Sequence, residues 1–169
     1  MLRRRDPLVD PEPLIRRVYN YAAYRLGDGA DAEDATSETL ERALRYRQSY
    51  DPRNGSAQAW LLGIARRVVD DRLSRSPIAA SYGLDAEVAG DHELASETIE
   101  RLSLRSALAE LSQDERDLLA MRYGADLTAG DIARITGTRT NTIEVALHRT
   151  LAKLRQRMDT RSLTQETSA

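Results

Sequence analysis

The 25 residues from Leu127 to Leu151, LTAGDIARITGTRTNTIEVALHRTL, constrain this chain more than any other stretch. Ile132, Ala133 and Ile135 give a short first helix its apolar side. Gly137 stands where a positive-φ residue can turn the chain. Thr140 or Asn141 can cap a second helix, whose apolar positions Ile143, Leu147, Leu151 and Leu154 recur at helical spacing. Ala133, four residues before the glycine, is small enough to let the two axes come close. This is the helix-turn-helix pattern, in which the second helix enters a DNA major groove. An ordinary helical hairpin shares much of it; the basic run that follows favours DNA.

A formal net charge of −2 looks wrong for a DNA-binding chain until the charge is mapped. Residues 127–161 carry seven basic and three acidic side chains. Residues 77–100 carry six acidic ones (Asp85, Glu87, Asp91, Glu93, Glu97 and Glu100) and no basic one. Phosphate attraction acts over a Debye length of about 8–10 Å, so local distribution outweighs the sum. The chain has no cysteine, and its two histidines, His92 and His148, lie far apart in sequence. Neither a disulfide framework nor a metal site is expected. The longest apolar run, Ala59 to Ala65, is too short to span a bilayer. Arg3 to Arg5 lead into Asp6 and Pro7 rather than a signal-peptide core. A soluble, cytoplasmic protein without cofactor is the expectation.

Helix formers dominate and apolar alternation never persists, so an all-α fold is expected. A first helix starts near Pro11 to Pro13 and ends at Gly27 and Gly29. A second, from about Asp31 to Gln48, carries Asp31, Asp34, Glu38 and Glu41 on one face. Read alone, that stripe is either a solvated face stitched by Glu38–Arg42 and Glu41–Arg45 pairs or a docking surface. Asp-Pro and Asn-Gly in residues 49–56 mark a loop. The third helix, AWLLGIARRVVDDRLSR, has Trp60, Leu61, Ile64, Ala65 and Val68 on one side. On its polar side Arg66–Asp70 and Arg67–Asp71 pairs are expected at i,i+4. Residues 76–95 read as a linker. Helix resumes near Ser96, and Ser112 with Glu115 forms a capping box. The expected architecture is two small helical domains, 11–75 and 96–158, joined by a flexible acidic linker. The second contains the helix-turn-helix, and a polar tail, 159–169, follows.

Three motifs, DAEDATSETLERAL, AWLLGIARRVVDDRL and LSQDERDLLAMRYGADLTAGDIARITGT with HRTLAKLR, stand in this order. Together they resemble the extracytoplasmic-function (ECF) sigma factors of bacterial RNA polymerase, over about residues 11–157. The resemblance implies two helical domains, region 2 and region 4. It also implies a non-enzymatic protein that binds core polymerase and recognises the −10 and −35 promoter elements. An anti-sigma factor is a further candidate partner; a membrane is not.

Carried over by position, Asp34 and Glu38, with Ser37 and Arg42, match the surface that docks on core polymerase. Arg53 and Asn54 match the loop that reads a flipped-out −10 base, and Trp60, Arg66 and Arg67 match the helix beside it. An unstacked base offers its edge to such a pocket. Arg139, Thr140, Asn141, Thr142, His148 and Arg149 match the −35 recognition helix and its flank, with Lys153 nearer the phosphates. The chain departs from the family at several points. Ser37 replaces the usual Gln, Leu40 and Leu44 replace bulky aromatics, and Arg67 replaces a common Asn. Thr136 and Thr138 flank the turn glycine in place of apolar residues. Glu144 and Ala146 stand where a basic residue is usual. Glu144, three residues after Asn141, is expected to return a hydrogen bond to its amide as a capping box, with a base-reading role as the alternative.

Two other readings fit parts of the chain. A stand-alone helix-turn-helix regulator leaves the loop and the acidic stripe without a task. A helical protein-binding adaptor would make Glu144 and Ala146 signs of a degenerate motif.

Overall fold

A computed structural model describes residues 6–75 and 95–166, with side chains over 6–75 and 101–160. The linker residues 76–94 and the acidic side chains assigned to the linker, from Asp85 to Glu100, lie outside that description. Among the described residues there are seven α-helices and no strand. They are α1 (Pro11–Leu26), α2 (Ala30–Tyr46), α3 (Ala57–Arg75), α4 (Ala95–Ala109), α5 (Gln113–Leu119), α6 (Ala129–Thr136) and α7 (Thr140–Glu166).

Each boundary has a local cause. Proline sits in the first turn of α1, where a missing N–H costs nothing. Gly27, at φ 90°, closes α1 by donating to the Ala23 carbonyl, and Gly29, at φ 123°, opens α2. The Ser112 hydroxyl accepts from the Glu115 amide while the Glu115 carboxylate accepts from the Ser112 amide, forming the expected capping box on α5. Thr128 caps α6, and Gly137 ends it in the left-handed conformation at φ 68°. Between α5 and α6 the chain widens into a π-helical turn, Ala120–Gly124, where Ala125 donates five residues back to Ala120.

Two element boundaries differ from expectation. α7 begins at Thr140, so Asn141 lies inside its first turn, and among the described residues no hydrogen bond joins it to Glu144. The Asn141–Glu144 capping box is therefore not formed. The same helix continues to Glu166, through much of the segment assigned to the tail. No Gly or Pro occurs after Gly137 to stop it.

The helices of residues 11–75 pack with α1 against both α2 and α3. Val18, Tyr21, Ala22, Leu61, Leu62 and Val68 are fully buried there. That core does not end at this half of the chain. Leu118, Ala120, Met121, Ala125, Leu127 and Ile132 belong to the same buried cluster. The π turn packs on α1, and α6 packs on α3. Gly124 makes the closest approach: a Cβ there would lie 3.2 Å from the Asn20 carbonyl oxygen and 3.1 Å from the Tyr24 ring. α7 packs on α4, α5 and α6.

Candidate polymerase and promoter interface

Three surfaces carry the residues singled out by sequence. On α2, Ala32, Ala35, Thr39 and Ala43 face inward, which turns Asp31, Asp34, Ser37 and Glu41 to solvent. Glu38 is only half-exposed. Its carboxylate accepts from Arg42 at 2.6 Å, the expected i,i+4 pair, and from Arg72 of α3 at 2.9 Å. Burial raises the Glu38 pKa, but the Arg72 and Arg42 bonds and charges outweigh it and hold the carboxyl below its ordinary value. Asp34 is thus the freer carboxylate, and Glu38 is tied to its own fold.

The second surface is the loop before α3. The Asp51 carboxylate accepts from the Arg53 amide at 3.0 Å, closing a short 3-10 turn, Pro52–Asn54. The Tyr50 hydroxyl donates to the Gly55 carbonyl, and the Tyr50 ring lies 5.7 Å from Trp60, tilted by 57°. These contacts hold one side of a groove of about 700 Å³, lined by Tyr46, Asn54, Trp60, Arg66, Arg67 and Arg134 among others. The fold therefore brings Asn54, Trp60, Arg66 and Arg67 together. Arg53 and Arg67 are both exposed, with Arg53 at the loop surface.

Arg66 does not form the expected i,i+4 pair with Asp70. Its Nε donates to Asp117 of α5 at 2.7 Å, while Asp70 is 3.4 Å from Arg25. Asp71 faces Arg42 at 3.6 Å instead of Arg67. Partners from other helices win because they are the more buried: the Arg25 and Asp117 side chains are 4% and 6% exposed. Burial lowers the Arg66 pKa, yet the Asp117 bond and charge more than reverse this and raise it. Burial is also the leading cause that raises the Asp70 carboxyl above its ordinary value.

The third surface is the start of α7. Arg139, Thr140, Asn141, Thr142, Glu144, His148 and Arg149 are all exposed, while Ile143 and Thr150 point inward. The expected reading face is open, and Glu144 shares it. Lys153 is less free, since its ammonium donates to the Glu115 carboxylate at 2.8–2.9 Å. Sequence reasoning did not single out Tyr21, Arg25 or Asp117. A signal existed: Tyr21 and Arg25 fall on the apolar side of α1, and Asp117 stands directly beside Leu118 and Leu119.

Among the described residues no helix is long and apolar enough to cross a membrane, and no group of three or more His, Cys, Asp or Glu side chains could hold a metal ion.

The architecture has close counterparts. Residues 12–76 match the family model of sigma-70 region 2, and residues 101–154 match that of sigma-70 region 4. The chain is 32% identical to the ECF RNA polymerase sigma factor BldN of Streptomyces coelicolor, over 81% of this chain and 55% of that protein. It is 33% identical to the ECF RNA polymerase sigma factor SigC of Mycobacterium tuberculosis, over 75% of this chain and 69% of the relative. Its fold is similar to that of the sigma factor RpoE of Bartonella quintana, solved with the anti-sigma factor NepR. The TM-score there is 0.64 at 21% identity, over 86% of this chain and 92% of RpoE. It is also similar to CnrH in complex with the cytosolic domain of CnrY, with a TM-score of 0.60 at 18% identity over 88% and 82% of the two chains. With both regions in order, the helices where those regions require them and a relative at one-third identity, this chain belongs to the ECF RNA polymerase sigma factors.

Proposed function

We propose that the chain directs core RNA polymerase to promoters through the three surfaces, by binding alone and without catalysis, in the cytoplasm where the polymerase works. Asp34 leads the core contact, with Ser37, Glu38 and Arg42 beside it. Arg53, Asn54, Trp60, Arg66 and Arg67 serve the −10 element. Arg139, Thr140, Asn141, Thr142, His148 and Arg149 serve the −35 element, with Lys153 at its margin. The observation that carries the reading is the groove. Three aromatic rings (Tyr46, Tyr50 and Trp60), the Asn54 amide and the guanidinium groups of Arg42, Arg66, Arg67 and Arg134 line a space large enough for one unstacked base, next to an exposed acidic helix face. A flipped base needs stacking and edge contacts, and those are the groups present. An anti-sigma partner fits the same reading. The two solved neighbours are bound to such proteins or to a cytosolic domain, and an apolar groove between α1 and α2, lined by Ile15, Tyr19, Thr36 and Leu40, lies beside the core-docking residues.

Multi-round transcription with purified core polymerase tests the function directly, and added protein should yield promoter-specific transcripts. Asp34→Lys should raise the dissociation constant for core at least tenfold, about 1.4 kcal/mol, with helicity intact. Asp34 is the cleaner choice because reversing Glu38 also strands Arg42 and Arg72. Arg67→Ala should reduce permanganate-reactive bubbles on duplex DNA, and a pre-melted template should restore part of the loss. Unchanged core binding in Asp34→Lys would remove α2 from the interface.

A further inference from the structure

Gly63 stands well inside α3, a position where glycine is costly. It gives up more backbone freedom than any other residue on entering a helix, and it packs nothing. Other glycines of the chain have a structural cause. Gly27, Gly29, Gly55 and Gly137 sit at positive φ, and Gly124 sits where a Cβ would press on the Asn20 carbonyl. Gly63 has neither cause. It is not at positive φ, and a Cβ added to it would meet nothing within 4 Å. α3 continues through it as a single α-helix. Nothing in the packing of the fold calls for a glycine here.

What Gly63 has is a place in the −10 groove. It lines that groove together with Trp60, Ile64 and Arg67 of the same helix. These four fall at i, i+3, i+4 and i+7, on one helical face, while Ala59, Leu62 and Ala65 are buried on another side. Between the Trp60 ring and the Arg67 guanidinium the groove is therefore floored by bare backbone. Tyr46, at the end of α2, supplies an exposed ring to the same groove. Glycine allows the closest approach of a ligand to a backbone. Any Cβ would lift a planar ring seated on that floor. A gap of about 0.5–1 Å already forfeits about a quarter to a half of a van der Waals contact.

We infer that Gly63 is itself a contact residue of the −10 site: the unstacked base lies over its bare Cα, between Trp60 and Arg67. Trp60 and Arg67 supply stacking and a charged edge, and the absent side chain supplies the depth that lets both be reached at once. The chain keeps the poorer helix former because the seat needs the Cα uncovered. The inference rests on the sigma-factor reading and adds to it a residue that neither charge nor hydrogen-bonding chemistry would single out.

Gly63→Ala tests it, because stability and binding should move in opposite directions. The melting temperature should rise by about 1–3 °C, since alanine is the better helix former and the space for its methyl is empty. Probes come from a duplex library randomised through the −35 and −10 segments and enriched for transcription by wild-type holoenzyme. A labelled single strand carrying the non-template −10 segment of an enriched promoter should bind the variant holoenzyme at least about threefold more weakly. Replacing each base of that strand in turn by an abasic residue locates the effect. At one position the difference between wild type and variant should vanish, because no base is left to be lifted. Gly63→Ser, which also adds a Cβ, should weaken binding in the same way, and affinity for core polymerase should stay unchanged in both variants. Equal binding of the intact strand by wild type and Gly63→Ala overturns the inference. So does a loss that persists with every abasic strand, which would make Gly63 a point of helix flexibility rather than a contact. A lowered melting temperature overturns it as well, because the glycine would then be serving the fold. If wild-type holoenzyme enriches no promoter, the sigma-factor reading fails and the base contact falls with it; if promoters are enriched and the variant binds them normally, the contact alone fails.

Discussion

Glu115 is bonded twice, and its two bonds differ in how readable they were. The first closes the capping box with Ser112, a four-residue pattern visible in the sequence because partner and cap are neighbours. The second takes the Lys153 ammonium, 38 residues away, and only the packing of α7 on α5 creates it. The same contrast explains the ion pairs. Glu38–Arg42 was legible as an i,i+4 pair, but Arg66 and Asp70 found partners on other helices, and sequence spacing does not rank a local partner against a distant, more buried one. The Lys153 bond first, against a smaller opposing effect of burial, and then the Ser112 amide hold the Glu115 carboxyl below its ordinary value. A carboxyl whose folded pKa is depressed contributes stability above its unfolded pKa of about 4.3 and loses it as pH falls through the lower folded value. Glu115→Gln should therefore lower the urea midpoint at pH 7, with a cost of about 1 kcal/mol. At a pH well below 4 the wild-type and variant midpoints should converge. A gap that persists in acid would show that the charge of Glu115 is not what stabilises.

At the scale of elements, the helices were legible almost to the residue wherever Gly or Pro punctuates them: Pro11, Gly27, Gly29 and Gly137 each mark a real boundary. Where no such residue stands, the reading drifted. Nothing in AMRY, ahead of Gly124, announces a π turn, and α7 takes in both Thr140 and Asn141, the two expected caps. That shift changes the meaning of Glu144. With no capping bond to Asn141, its exposed carboxylate stands on the same face as Thr140 and His148. A carboxylate beside phosphates repels unless it accepts from a cytosine amino group. Glu144→Gln should leave the melting temperature unchanged, because it removes no bond, and should tighten binding of a −35 duplex measured by fluorescence anisotropy. A variant that melted lower would restore a structural role for Glu144. A changed preference at one base pair would show that it reads that base.

At the scale of the whole molecule, the all-α fold with its helix-turn-helix is as the sequence suggests, and the packing of the two halves on one another is what it does not reveal. Each half, read alone, offers enough helical apolar positions for a core of its own, so nothing local reveals that they share one. Yet Val18 and Tyr21 of α1 belong to the same buried cluster as Met121 and Leu127. Charge mapping found the basic α7 but not the buried Asp117, because a carboxylate in a sequence gives no sign of whether it will be solvated. A shared core unfolds as a unit when most of its contacts cross between parts. Differential scanning calorimetry of the full chain at neutral pH should show one transition, with calorimetric and van't Hoff enthalpies in agreement. Two resolved transitions would mean that the halves are energetically separate despite their contact.

The fit of Gly124 against Asn20 and of Asp117 between Tyr21, Arg25 and Arg66 bears on how such a protein can be recombined. Exchanging promoter preference by grafting a relative's C-terminal half onto this N-terminal half carries over one face of a matched pair and leaves the other behind. A graft with a larger residue at 124 crowds the Asn20 carbonyl, and one with no acid at 117 leaves Arg66 without its hydrogen-bonded carboxylate and Arg25 with Asp70 alone. The natural unit of exchange is therefore the C-terminal half together with Asn20, Tyr21, Arg25 and Arg66, so the inner face of α1 and one arginine of α3 have to travel with a region they do not adjoin in sequence.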